Sequence, residues 1–233
     1  MSELKQETRR PVVTLDGPAG SGKSTTAKEV ARRLGFRHLD SGGLYRALTL
    51  ALLEEGVPRE EWPDLTEDGM RALPVHVASE GSEFVIEVGG RPMKSELRTP
   101  EVTANVAFLA SLPASRACLL GLQRAAGEQG SLVADGRDMG SVVFPGAEVK
   151  VYLVADLTER ARRRLKEGGG SDPADDEVER EAGVIAERDR QDSERELSPL
   201  RKPEDAHLID TTRLDFVEQV KAIVALVEAQ GTE

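Results

Sequence analysis

The sequence predicts an α/β fold, a parallel sheet covered on both faces by helices, and three observations carry that expectation. Short aliphatic runs recur along the 233 residues, segments of helical spacing separate them, and one stretch between residues 73 and 93 switches to strict alternation. The first run, Pro11-Val12-Val13-Thr14-Leu15-Asp16, ends in a glycine-rich turn. Ser24 to Leu34 follows with apolar residues at Ala27, Val30, Ala31 and Leu34 and is stopped by Gly35, which reads as strand, loop and helix. Phe36 to Asp40 repeats the pattern, leading through Ser41-Gly42-Gly43 into a helix marked by Leu44, Ala47, Leu48, Ala51 and Leu52. Leu132 to Asp135, Val149 to Val154 and His207 to Asp210 supply a third, fourth and fifth strand. Helical spacing also covers Glu101 to about Ala126, broken at Pro113, and an amphipathic helix runs from Phe216 to Ala229.

The alternating stretch places Val75, Val77, Phe84, Ile86 and Val88 around Glu80-Gly81-Ser82, the pattern of a hairpin or small three-stranded piece inserted into the core. Glu159 to Ser198 is rich in Arg and Glu and is interrupted by Gly168-Gly169-Gly170-Ser171-Asp172-Pro173, the signal of a mobile hairpin between two charged helices. The chain shows no internal repeat.

With 39% hydrophobic and 31% charged residues, the chain is long enough for one buried core, and at 3% aromatic that core is aliphatic. The formal net charge of -11 excludes a general nucleic-acid coat protein, because a phosphate-backbone footprint needs clustered cations. The acidity is uneven: residues 1–53 hold 9 basic against 5 acidic side chains, whereas residues 54–101 hold 5 against 12. An anionic ligand near the N-terminal segment is therefore compatible with the overall sign. The single cysteine, Cys118, permits no intrachain disulfide and fits a reducing compartment. Residues 1–10 lack an apolar h-region and no run of 18 apolar residues occurs, so the expectation is a cytoplasmic protein that neither spans nor binds a membrane.

Gly17-Pro18-Ala19-Gly20-Ser21-Gly22-Lys23-Ser24 satisfies the G-x-x-x-x-G-K-[ST] pattern in the required place, after a strand and opening a helix. Its glycines let successive backbone N–H groups turn toward phosphate oxygens, and the helix adds its positive end. Lys23 is placed to reach the β and γ phosphates and the Ser24 hydroxyl to ligate Mg²⁺, with Asp135 at the end of another aliphatic strand suited to the metal's hydration shell. No N-K-x-D segment is present, which disfavours a guanine-reading switch. Tyr45-Arg46 and Arg137-Asp138 lie just past strand ends, the side on which open parallel sheets bind ligands. Asp138 is either a reader of an exocyclic base amine or an ion partner for an arginine. Arg188, Asp192 and Arg195 share a helix face, as do Arg160, Arg163 and Arg164, and both stripes also fit a solvated, ion-paired surface.

Taken in order, Asp16-Gly17-Pro18, Asp40-Ser41-Gly42 through Tyr45-Arg46, Arg98-Thr99-Pro100-Glu101-Val102 and Ala134-Asp135-Gly136-Arg137-Asp138-Met139-Gly140 resemble the bacterial-type cytidylate kinases, a nucleoside monophosphate kinase family. Val142-Val143-Phe144-Pro145, Glu159-Arg160-Ala161, Arg188-Asp189 with Asp192 and Arg195, and Asp205-Ala206 extend the likeness to about residue 212. The resemblance implies a P-loop kinase three-layer fold with a five-stranded parallel sheet in a single domain. Its core would comprise residues 11–68, 98–157 and 199–233, with a monophosphate-binding insert over about 69–97 and a helical lid over about 158–190. It assigns ATP to Gly17, Pro18, Ala19, Gly20, Ser21, Gly22, Lys23, Ser24 and Thr25, and Mg²⁺ to Ser24 and Asp135. Ser41, Tyr45, Arg46, Arg116, Arg137, Asp138, Arg188, Asp192 and Arg195 form the CMP set. Within it, Ser41, Arg46, Arg137 and Arg195 go to the phosphate, Arg116 and Asp138 to cytosine, and Arg188 with Asp192 to the ribose. The expected catalytic cations are Lys23, Arg137, Arg195 and the lid arginines Arg160 and Arg163 or Arg164.

The implied reaction moves the γ-phosphoryl group of ATP to CMP or dCMP. Its acceptor is already an anionic oxygen, so alignment and charge neutralisation replace a general base. The three histidines, His38, His76 and His207, lie outside these blocks and are read as structural. Ala107 stands where many members carry a base-contacting serine, so cytosine discrimination rests on Arg116 and Asp138, and UMP is the alternative acceptor. A monomer acting on small molecules, with no polymeric nucleic acid, completes the expectation.

Overall fold

A computed structural model of the chain describes residues 11–81, 83–167 and 172–230. In chain order the elements are β1 (Val12–Asp16), α1 (Lys23–Leu34), β2 (Arg37–Asp40), α2 (Ser41–Glu54), α3 (Glu67–Ala72), β3 (Val75–Glu80), β4 (Glu83–Val88) and β5 (Arg91–Pro92). They continue with α4 (Pro100–Ser111), α5 (Pro113–Gly127), β6 (Leu132–Asp135), β7 (Val149–Val154), α6 (Leu157–Glu167), α7 (Asp175–Glu194), β8 (His207–Asp210) and α8 (Phe216–Gln230).

The sheet order is β3-β4-β2-β6-β1-β7-β8, with β5 paired to β4. The five strands expected from the aliphatic runs, β2, β6, β1, β7 and β8, are mutually parallel, in registers such as Asp40↔Asp135, Val13↔Val133, Leu15↔Val151 and Leu153↔Ile209. The sheet is not five-stranded, however, but eight-stranded. β4 joins the edge of β2 through the parallel pair His38↔Glu83, and β3 and β5 flank it antiparallel. A free-standing hairpin would expose a row of unpaired backbone groups, and docking it on β2 removes one such edge.

Both faces of the sheet are covered, as alternation of side chains requires. Val12, Leu132 and Ala134 point into a cluster with Leu44, Leu48, Trp62, Leu109 and Met139, whereas Val13, Leu15 and Val133 point into one with Ala27, Val30, Val220 and Ile223. The break at Pro113 is real: α4 and α5 meet at 91°, and Pro100 and Pro113 each open their helix, where a missing N–H costs nothing. Among the described residues no single helix is long and apolar enough to cross a membrane. α3, which straddles residue 69, buries Met70 in the first cluster, and the 3₁₀ turn Arg59–Asp64 buries Trp62 there.

α6 and α7 pack on each other and on the phosphate loop through Ala161, Val178, Ile185 and Ala19. The glycine run Gly168-Gly169-Gly170-Ser171 between them, the polar segment 1–10 and Ser82 of the expected hairpin turn lie outside the described residues.

Candidate active site

The loop Gly17 to Gly22 joins the C-terminal end of β1 to α1. A Cβ on Gly17 would stand 2.1 Å from the Leu153 carbonyl oxygen of β7, and Gly22 turns the chain into α1 at φ +85°, so both positions require glycine. Lys23, only 5% exposed, donates from Nζ to the Pro18 carbonyl at 2.6 Å and to Ser21 Oγ at 3.3 Å. Burial, with the positive charge of Arg137 nearby, pushes its ammonium well below the ordinary lysine range. Ser24 Oγ donates to Asp135 Oδ2 at 2.5 Å, which brings the two expected metal-holding groups together.

A cavity of about 620 Å³ opens beside this loop. Its lining includes Ala19, Gly20, Gly22, Lys23, Ser24, Thr25 and Asp135, and all the acceptor residues expected from the sequence: Ser41, Tyr45, Arg46, Arg116, Arg137, Asp138, Arg188, Asp192 and Arg195. β2, β6 and their following turns deliver Ser41 to Arg46 and Asp135 to Asp138 at the C-terminal sheet edge. Across the cavity, α7 and the residue after it deliver Arg188, Asp192 and Arg195.

The two ends of the cavity differ in charge balance. Near the loop, Arg46 donates to Leu97 O and Thr103 Oγ1, and neither Arg46 nor Arg188 has a carboxylate at ion-pair distance among the described residues. The Arg188 Nε is buried without a hydrogen-bond partner among the described residues. Burial first, then the surrounding arginines, lowers Arg46 to about 10 and Arg188 to about 9. At the far end the cations have carboxylates within 4 Å, although Arg195 Nη2 makes no hydrogen bond among the described residues and burial lowers Arg195 as well. Arg116 bonds Asp138 and also donates to Ala110 O, with its guanidinium 5.7 Å from the Tyr45 ring centroid. Arg195 reaches Asp138 at 3.9 Å and Asp192 at 3.6 Å. Arg137 pairs with Asp192 at 2.7 Å and spans the two regions. Burial raises the Tyr45 hydroxyl to about 12, which keeps it a neutral donor. Ala107 lines the same cavity.

A second cavity, of about 480 Å³, lies on the other side of the loop and is lined by Arg163, Lys166, Leu214 and Phe216. The two cavities share Gly20, Gly22 and Thr25. The lid arginines separate accordingly. Arg164 lines the first cavity and Arg163 the second, where Arg163 also donates to Thr211 O at 2.6 Å. Arg160 lines neither, being tied to Ala155 O, Ala19 O and Asp189. Gly17, Pro18 and Ser21 form the underside of the loop rather than a cavity wall.

A phosphate loop shared by two cavities, one of which ends in an arginine–aspartate pair, is compatible with a kinase that takes a small anionic acceptor. Comparison with known families decides which kind. The family model described as cytidylate kinase matches residues 13–229. The chain belongs to the cytidylate kinase family. A cytidylate kinase of Exiguobacterium sp. is 44% identical over 93% of this chain and 96% of its own length. One from Pelodictyon phaeoclathratiforme is 40% identical over 97% of this chain and 100% of its own. In fold, the chain is similar to the crystal structure of an uncharacterized protein from Eubacterium ventriosum, at a TM-score of 0.51 and 10% identity over 94% of this chain and 99% of that one.

Within this cytidylate kinase framework the structure adds residues that the sequence left without a role. His38, expected to be structural, bonds through Nε2 to Asp135 Oδ1 at 2.7 Å, so both oxygens of Asp135 are held. Burial opposes a charge on His38, but the Asp135 hydrogen bond and the charges of Asp135 and Asp40 outweigh it and raise its pKa. Its position two residues before Asp40 on β2 puts both side chains on one face, a signal available from strand periodicity. His76 and His207, by contrast, are exposed, and none of the three histidines lines either cavity. Gln123 donates to Ser41 Oγ at 2.8 Å, and no sequence signal marks it. Asp16 accepts from Met139 N at 2.8 Å and Gly140 N at 2.7 Å, fixing the turn that carries Arg137 and Asp138.

Proposed function

We infer that the chain catalyses transfer of the γ-phosphoryl group of ATP to CMP or dCMP, giving ADP and CDP or dCDP. The observation that carries this reading is the junction of the two cavities at the phosphate loop, with surplus cations on the acceptor side and the Arg116–Asp138 pair beyond them. The loop backbone and Lys23 hold the donor phosphates, and the second cavity takes the adenosine end against Leu214, Phe216 and Arg163. Ser41, Arg46, Arg137 and Arg188 surround the acceptor phosphate. Arg188 here takes the place that the resemblance gave Arg195, because it has no carboxylate at ion-pair distance among the described residues, whereas Arg195 lies against Asp138 and Asp192. Arg116 and Asp138 read the base, Asp192 faces the sugar, and Arg195, which sits against Asp138, supports both. No general base is required, because the attacking oxygen is already anionic. Catalysis is alignment plus neutralisation of the charge on the moving group by Lys23, Arg137 and lid arginines including Arg164.

The donor set also fits Mg²⁺. Ser24 and Asp135 offer hard oxygens side by side, and no cluster of three or more His, Cys, Asp or Glu among the described residues forms a complete protein cage, as expected for a metal that takes most of its ligands from phosphate and water. Bound there, the ion would neutralise phosphate charge. Residues 69–97 serve as the monophosphate-binding insert and 158–190 as a lid that excludes water on closing. The chain acts as a cytoplasmic monomer on small molecules, without a polymeric nucleic acid.

The test is ADP release with ATP and Mg²⁺ over a panel of acceptors. CMP and dCMP are expected to exceed UMP, AMP, dTMP and shikimate. Equal turnover with UMP would instead favour a broader pyrimidine kinase, which Ala107 supports by leaving the base end one hydroxyl short. No turnover with any acceptor would overturn the reading.

A further inference from the structure

Asp189 lines neither cavity, yet its carboxylate is engaged at both oxygens. Oδ1 accepts from the Ala19 backbone N–H at 2.8 Å, and Oδ2 accepts from Arg160 Nη1 at 2.5 Å. Arg160 Nη1 in turn donates to the Ala19 carbonyl at 2.9 Å. One residue of the phosphate loop therefore has both its backbone N–H and its C=O held by the α6–α7 pair. The grip is close and backed by packing. A Cβ on Gly20 would stand 3.1 Å from both Arg160 Cβ and Arg160 O, and Ala19 packs with Ala161 and Ile185.

The neighbours of Asp189 on α7 face elsewhere. Arg188 and Asp192, spaced i and i+4, project into the acceptor cavity, and Asp192 holds Arg137 there. Asp189 is rotated by about 100° from Arg188 and so meets the loop. One helix thus touches the acceptor with one face and the donor-holding loop with the next.

We propose that Asp189 is the positioning residue that couples the two substrate sites, transmitting the seating of α7 on the acceptor to the geometry of the Ala19–Gly20 segment of the phosphate loop. This rests on the assignment of the two cavities to donor and acceptor. An acceptor that fixes Arg188 and Asp192 fixes α7, and Asp189 then fixes the loop in the form that holds the donor. The coupling is reciprocal by thermodynamic necessity. Asparagine at this position can accept from only one of the two donors and turns an N–H₂ toward the other.

Calorimetric titration of CMP, with and without a non-hydrolysable ATP analogue, measures the coupling directly. In the unaltered protein the analogue is expected to tighten CMP binding by about fivefold or more. In Asp189→Asn that factor falls to about one, while each nucleotide alone binds within about threefold of the unaltered protein, and Asp189→Glu, which keeps both acceptor oxygens, recovers part of it. If the Asn variant does not fold, the Glu variant carries the test, with a reduced but measurable factor. A factor of one in the unaltered protein, or an undiminished factor in the variant that folds, overturns the proposal. Failure of the unaltered protein to bind either nucleotide alone overturns the two-site assignment itself, and the coupling with it.

Discussion

The two ends of the first cavity, proposed to take the phosphate and the base of the acceptor, are built from the same residue types, arginine above all, but on different electrostatic plans. Around the base end each arginine has an aspartate: Arg116 has Asp138, and Arg195 lies between Asp138 and Asp192. Around the proposed phosphate end Arg46 and Arg188 have none among the described residues, and both are held below the ordinary arginine range by burial and by neighbouring arginines. The difference supports the proposed division of the cavity between phosphate and base. A neutral, hydrogen-bonding base calls for fixed donors and acceptors with little net charge, whereas a dianion calls for positive charge that the protein leaves unsatisfied until the ligand arrives. Stability and function should therefore respond in opposite ways to substitution at the two ends.

The largest expected effect is at the phosphate end. Arg188→Ala is expected to lower kcat/KM for CMP by about 10²- to 10³-fold. Its melting temperature without ligand should equal or exceed that of the unaltered protein, because a buried cation without a partner is removed. A clear loss of thermal stability would show that Arg188 is balanced in a way the contrast denies. Next comes Asp138→Ala, which leaves Arg116 and Arg195 buried without their shared carboxylate. It should cost about 3 kcal/mol of stability in denaturant unfolding. Discrimination of CMP against UMP should fall by about 10- to 100-fold with ATP affinity unchanged. If ATP binding weakens instead, the base assignment of Asp138 is wrong.

A smaller effect sharpens the contrast from underneath, at Asp16, which supports the turn bearing Arg137 and Asp138. Burial dominates over the bonds from Gly140 and Met139 and raises its carboxyl from 3.8 to about 6. Because the folded pKa lies above the unfolded one, the unfolded chain ionises first as pH rises. The stability contribution is thus present below about pH 4 and lost between there and pH 6, by about 3 kcal/mol in all. Asp16→Asn should flatten that part of the difference in unfolding free energy against pH. An unchanged profile would mean that Asp16 is not the group responsible.

Much of this was legible without coordinates. The five parallel core strands, the loop from Gly17 to Ser24 and the break at Pro113 all stand where the sequence put them, because glycine spacing, apolar period and proline geometry act over a few residues. The nine residues expected to hold the acceptor also line one cavity: eight lie just past a strand end or on or just after α7, whereas Arg116, on α5, came only from the family resemblance. The eight-stranded sheet was not legible, because hairpin alternation does not say which edge the hairpin joins. The contact of His38 with Asp135 was not foreseen, although its period-two relation to Asp40 on β2 was available. Nothing in the sequence marks Gln123, whose relevance comes only from the hydroxyl it meets.

By itself, then, the sequence determined where the glycine-rich loop lies and most of the side chains that line the cavity beside it, through local rules of backbone and periodicity. Tertiary structure alone decided how the charges are shared. Arg137 finds Asp192 across 55 residues, His38 finds Asp135 across 97 and Asp189 finds Ala19 across 170. Arginines of one composition become matched or unmatched according to which aspartates the fold brings within about 4 Å. On the proposed function, burial then turns that pairing into the difference between a reader of bases and a binder of phosphate.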